Sequence, residues 1–235
     1  MLSNPWIVLV SRSVLFLGIQ ALIAAGLAIA GTSLPWLRSA GWWMFVIIVT
    51  NCISIYYLVR LYRAEGRSYR GAIRFSRATV KGDLIWFFAA GLIGLPIAAA
   101  PMNSLATLLF GDRMTPVYMM FQTLPPWGLA LGLLFPITVA FAELPTYFGY
   151  GMPHLSARIG NGWVAWLAAS FFLGAQHMFL PFIPDPRFML WRLGLYLPFA
   201  LFIGLLLKLR PTLLPYFMII HALVDLSAVA TYLMI

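Results

Sequence analysis

Phe141–Leu155 reads FAELPTYFGYGMPHL, and Glu143 is the only charged residue in the apolar run from Trp127 to Tyr150. Two later stretches answer it, Leu173–His177 (LGAQH) and His221–Asp225 (HALVD). Each sets a group that carries protons or binds metal among Leu, Ala, Phe and Met. At the centre of a transmembrane helix a charged side chain costs about 2.5–3.5 kcal/mol even on the mildest insertion scale. Glu143, His177, His221 and Asp225, spread over three apolar runs, are therefore most simply explained as one shared site.

Composition agrees with a membrane setting. The 235 residues are 63% hydrophobic and 9% charged, with mean hydropathy +0.93, whereas soluble domains carry about 25% charged residues. The net charge of +9 is then a matter of topology, since Lys and Arg orient membrane helices. A nucleic-acid partner is not expected, because no basic soluble surface is interleaved with stacking aromatics. The single Cys52 excludes a disulfide framework and a Cys-based metal site.

Helices need about 20 apolar residues to cross a bilayer. Seven runs qualify: Ile7–Ala30, Gly41–Val59, Leu84–Ala100, Trp127–Tyr150, Gly162–Ile183, Phe188–Leu207 and Thr212–Ile235. The expected fold is an all-α polytopic bundle of about seven spans, or eight. Ala28-Ile29-Ala30 also fits a signal-peptide cleavage site, but the long apolar run favours an uncleaved anchor. Pro101–Pro126, broken by Gly111-Asp112-Arg113 and Pro125-Pro126, reads as re-entrant or interfacial. Prolines 136, 145, 198 and 215 fall inside spans and should bend them, with Pro145 opening the backbone beside Glu143.

Arginines 60, 63, 67, 70, 74 and 77 keep a helical spacing, which predicts an interfacial helix with a basic face. The loop from 60 to 82 either sets topology or meets anionic lipid. With that loop cytoplasmic, Arg158, Lys208 and Arg210 fall on the same side, while Arg38, Arg113 and Arg187 remain outside. The positive-inside rule is satisfied, with the N-terminus cytoplasmic and the C-terminus outside. Residues 1–126 supply helices and charge, and residues 127–235 the candidate core, within one membrane domain.

His221 and Asp225 are one turn apart and share a helix face. Gly174 and Ser170, three and seven residues before His177, would let a neighbouring helix approach. Gly128 and Gly132 form a GxxxG, and His154 reads as an interfacial residue.

These three stretches, in this order, resemble the CPBP intramembrane peptidases, the CAAX-protease and bacteriocin-processing (Abi) family. That family carries Glu-Glu-x-x-aromatic-Arg-Gly, then Phe-x-x-x-His, then His-x-x-x-Asn or Asp. Glu143, Tyr147 and Gly149 match the first motif, His177 the second, and His221 with Asp225 the third. Leu144, Phe148 and Leu173 depart from it, standing where the family has Glu, Arg and Phe. Losing the acid and the base together can be neutral, whereas losing one would strand a charge.

The resemblance implies an integral membrane protein, in a bacterial inner membrane, that hydrolyses a peptide bond of a membrane-associated protein or peptide. Glu143 and His177 would activate a water. His221 would stabilise the oxyanion, with Asp225 either protonated or orienting the His221 ring. A zinc ion held by Glu143, His177, His221 and Asp225 is the metal-dependent version of the same site. A non-catalytic scaffold or immunity-type protein, and a proton-coupled carrier using Glu143 and Asp225, are the competing classes.

Overall fold

Asn4 starts the fold. Its Oδ1 accepts from the Trp6 N–H at 3.2 Å, and Pro5 takes the first helical position, where its missing N–H costs nothing. Helix α1 runs Pro5–Ile29 and stops before Gly31, whose φ of 75° no helix can continue. The computed structural model describes residues 4–234, with side chains as far as residue 230; among them no strand occurs. Ile235, the last residue of the expected seventh span, lies outside the described residues.

After α1 come α2 (Pro35–Ala40), α3 (Trp43–Ala64), α4 (Tyr69–Ala72), α5 (Val80–Phe110) and α6 (Thr115–Met120). Next are α7 (Pro126–Gly132), α8 (Leu134–Ala140), a π-helical segment (Pro145–Gly151) and α9 (Met152–Ile159). The chain ends with α10 (Gly162–Gln176), α11 (Pro186–Leu209) and α12 (Leu214–Met234); 3₁₀ turns at His177–Phe179 and Pro211–Leu213 join them.

Six stretches are long and apolar enough to cross a bilayer: Pro5–Ile29, Trp43–Ala64, Val80–Phe110, Pro126–Ile159, Pro186–Leu209 and Pro211–Ala230. The expected fifth span, Gly162–Ile183, is helical only to Gln176. Its 15 α-helical residues reach about 22 Å at 1.5 Å per residue, short of the ~30 Å hydrocarbon core. His177 therefore sits at the end of α10, in a 3₁₀ turn, rather than deep inside a straight span.

The other departures from the sequence pattern also have local causes. Helix α5 passes through Pro96 and Pro101 and ends only at Phe110, before Gly111 at φ 75°, so Pro101–Phe110 is helix and not a re-entrant segment. Prolines persist within membrane helices where the freed carbonyls are covered by protein. The expected basic helix over 60–77 is interrupted by Gly66 at φ 69°, leaving the short α4. The expected span Trp127–Tyr150 is broken at Leu133 and again at Phe141–Ala142 before the π segment begins at Pro145.

Close approach depends on glycine where the pattern suggested it. A Cβ at Gly174 would lie 3.0 Å from Leu197 Cα of α11, and one at Gly132 would lie 2.8 Å from the Met44 Cε of α3. The Gly128–Gly132 pair is thus a real contact face, with Trp42 beside Gly128. At the α11–α12 junction, fully buried Asp83 accepts from Arg210 Nε at 2.6 Å, Thr79 Oγ1 at 2.6 Å and Thr212 Oγ1 at 2.7 Å. One carboxylate therefore staples the start of α5 to the turn before α12. At the opposite end Asp185 caps α11, and its hydrogen bonds with Arg187 hold its carboxyl below the usual carboxylate range.

Replacing Asp83 with Ala removes three hydrogen bonds to a charged acceptor, each kind worth about 1.5–3 kcal/mol. Thermal unfolding in detergent should show a loss of at least about 2 kcal/mol. Gly91→Ala, where a Cβ meets open space, should leave stability unchanged or slightly raised.

Candidate active site

The break in the fourth apolar stretch is what exposes its carboxylate to neighbours. Helix α8 ends at Ala140, a turn at Phe141–Ala142 follows, and Glu143 is the first helical residue after it, two residues before the π segment starts at Pro145. Pro145 brings no backbone N–H, and the widened turn is the single-turn π geometry that recurs at functional sites. The carbonyl four residues before Pro145, Phe141 O, accepts instead from the Tyr69 hydroxyl, while Ala142 O accepts from both the backbone N–H and the Oγ1 of Thr146. Glu143 is 2% exposed.

The structure brings all four sequence-predicted residues together. His177 Nε2 lies 3.9 Å from Glu143 Oε2, and His221 Nε2 lies 3.5 Å from Glu143 Oε1. Asp225 Oδ2 is 3.2 Å from the same His221 Nε2. The carboxylate is bracketed, one imidazole facing each oxygen. His221 serves two carboxylates through one nitrogen, so Asp225 acts on Glu143 by way of that ring.

Two further residues hold Glu143, and the motif reading passed over both. Gln176 Nε2 donates to Glu143 Oε2 at 2.7 Å. The Arg12 guanidinium, fully buried in α1, places Nη2 3.6 Å from the same oxygen. Its Nε donates to Gln176 Oε1 at 2.9 Å and its Nη1 to Ser54 Oγ of α3 at 3.2 Å. The Tyr147 hydroxyl also donates to Gln176 Oε1, at 3.1 Å. Arg12, Gln176, Tyr147 and Glu143 thus form one buried network in which the amide is oriented by three neighbours. The signal was present: a cation and an amide inside apolar runs carry the same desolvation cost as Glu143. Arg12 lies outside every motif, and Gln176 falls at an unspecified position of the LGAQH stretch, which is why spacing alone missed them.

His177 is held from behind. Its Nδ1 is 2.9 Å from Leu173 O; a carbonyl only accepts, so Nδ1 carries the hydrogen, and in the neutral ring Nε2 presents its lone pair toward Glu143. The ring stacks on Tyr196 with centroids 3.6 Å apart and planes at 9°. Arg192, 2% exposed, donates from Nε to His177 O at 3.1 Å and from Nη2 to Leu180 O at 2.6 Å. Those carbonyls are the ones released where α10 stops. Arg192, which the sequence places just inside the sixth span, is the clamp on the turn that carries His177.

The metal-dependent version of the site does not fit this geometry. Among the described residues no three His, Cys, Asp or Glu side chains are arranged to hold one metal ion.

Leu144 and Phe148, standing where the resembled family has an acid and a base, are both buried in the apolar core. Phe148 fills the space beside Gly204, where a Cβ would approach its ring to 2.6 Å. No stranded charge results. His154, read as interfacial, lies on α9 with Nε2 2.9 Å from Glu65 Oε1 and its ring stacked on Tyr150.

Arg12→Met should strand Glu143 and cost about 3–5 kcal/mol, whereas Arg12→Met combined with Glu143→Leu should cost clearly less than the two single losses added. A double-mutant cycle by thermal unfolding measures this. No family model, no curated protein and no solved structure matches this chain.

Proposed function

We propose that this chain is an intramembrane endopeptidase of the CPBP type, cleaving a membrane-associated protein or peptide with a water activated by Glu143 and His177. The observation that carries the reading is the 3.9 Å separation of Glu143 Oε2 and His177 Nε2. With the Nδ1 hydrogen given to Leu173 O, a neutral His177 turns a lone pair toward the carboxylate, and one water donates to both. Water has two O–H groups, and once both are engaged a lone pair is left to attack a carbonyl carbon.

In this scheme Glu143 takes the proton from the attacking water as the C–O bond forms, and returns it to the amine as the C–N bond breaks. At rest the single hydrogen of His221 Nε2 faces Glu143 Oε1 at 3.5 Å and Asp225 Oδ2 at 3.2 Å; it turns to the tetrahedral oxyanion once Glu143 has taken the proton from water. Arg12 and Gln176 fix the carboxylate, and Arg192 with Tyr196 fixes His177, so the reacting groups are held before substrate arrives. The six apolar stretches, with α10 as a shorter seventh passage, support an integral membrane protein; a bacterial inner membrane, with the N-terminus and basic loop on the cytoplasmic side, is part of this proposal.

A non-catalytic scaffold is the second reading. It is favoured by the apolar Leu144 and Phe148 and by the commitment of Glu143 Oε2 to Gln176. Variants separate the two. With the protein reconstituted beside a panel of membrane-tethered reporter peptides, Glu143→Gln and His177→Ala should each reduce cleavage by about 10²–10⁴-fold while detergent-extracted protein elutes as the wild type does. Undiminished cleavage in Glu143→Gln, or no cleavage of any reporter by the wild type, would favour the scaffold.

A further inference from the structure

The basic segment from Arg60 to Lys81 is not absorbed by the proposed reaction, and its setting in three dimensions says more than its sequence. Contacts tie one set of helix ends together. Glu65, after α3, meets His154 of α9. Arg158 Nη1 donates to Asn4 at the start of α1. Lys208 of α11 sits over the Trp163 ring of α10 at 3.9 Å, and Arg210 binds Asp83 of α5. All of these mark the same end of the bundle. It therefore gathers the seven basic residues of 60–81 together with Arg158, Lys208 and Arg210, against two acids, Glu65 and Asp83.

Both acids are already engaged by partners. Asp83 is fully buried and given to Arg210, Thr79 and Thr212. Glu65 accepts from the Tyr150 hydroxyl at 2.6 Å, faces His154 at 2.9 Å and is 3.5 Å from Arg67. Arg60, Arg63, Arg70, Arg74, Arg77 and Lys81 are exposed, and among the described residues none of them has a carboxylate partner. An unneutralised cationic face attracts anions over a Debye length of about 8 Å.

What lies next to those cations decides which anion fits. Helix α5 begins at Val80 and is peripheral: only 11% of its most apolar window is buried. Ile85 at 71% and Phe88 at 67% exposure face outward just beyond Lys81. Phe75, 48% exposed, stands between Arg74 and Arg77. Cations thus border directly on a hydrocarbon-facing surface, with an aromatic side chain among them. A lipid headgroup on an acyl chain matches that arrangement; a soluble acidic partner would have no use for the apolar side.

We propose that the 60–81 face, continued along the outer side of α5, is a docking surface for anionic phospholipid headgroups. The inference is independent of the cleavage reaction. The full chain is reconstituted in phosphatidylcholine vesicles containing acyl-brominated phosphatidylglycerol or, in a parallel set, acyl-brominated phosphatidylcholine, and tryptophan quenching reports lipid beside residues such as Trp86. The expected result is a relative affinity for phosphatidylglycerol about tenfold above phosphatidylcholine, reduced by raising NaCl from 0.05 to about 0.5 M. Arg70→Gln/Arg74→Gln/Arg77→Gln should abolish the preference, and Arg38→Gln/Arg113→Gln at the opposite end should keep it. Equal quenching by the two lipids, a preference that survives the triple substitution, or its removal by millimolar inorganic phosphate or soluble polyglutamate would overturn the proposal.

Discussion

A single buried carboxylate governs how this bundle is built. Glu143 sits at 2% exposure among apolar helices, and a charge removed from water must be met by opposite charge and by hydrogen bonds. Arg12 supplies the charge from α1, Gln176 a hydrogen bond from the end of α10, and His221 a ring from α12. Those three elements and the segment carrying Glu143 are far apart in sequence, so satisfying the carboxylate draws the chain's beginning, middle and end together. Arg12 itself is fully buried and shares Ser54 of α3, which extends the same constraint to a fifth element.

Irregular backbone at the site follows from the same need. A helix from Trp127 to Tyr150 would already lack backbone donors at Pro136 and Pro145, and the chain breaks near both. The breaks at Leu133 and before Pro145, and the end of α10 at Gln176, free carbonyl groups that a membrane interior tolerates only when protein covers them. Tyr69 takes the Phe141 carbonyl, and Arg192 takes those of His177 and Leu180. The cation that looks like a boundary charge in the sequence is thereby a condition for His177 to face Glu143 at all.

The two ends of the bundle divide the remaining charges by a different rule. At the Arg60–Lys81 end both acids are engaged internally, so the outward surface is uniformly cationic; at the other end Asp112 and Asp185 lie in sequence beside Arg113 and Arg187. Charge asymmetry of this kind is the outcome of local pairing and not of composition alone.

Much of the site was legible because ionisable groups in apolar runs have few reasons to be there. Glu143, His177, His221 and Asp225 stood out on that ground, and the structure brings them together. The helical class, the first two spans and the close approach at Gly174 followed from hydropathy length and residue size. Only the tertiary structure decided which partner each buried group takes. Arg12 could have faced lipid headgroups, Arg192 the outer surface and His154 the interface; contact across more than a hundred residues assigned Arg12 to Glu143. Hydropathy measures how apolar a stretch is, so it located helices, but it carries no information on where a backbone breaks to satisfy a charge from another helix. For that reason α10 was expected to run on to Ile183, α5 was expected to end near Ala100, and neither does.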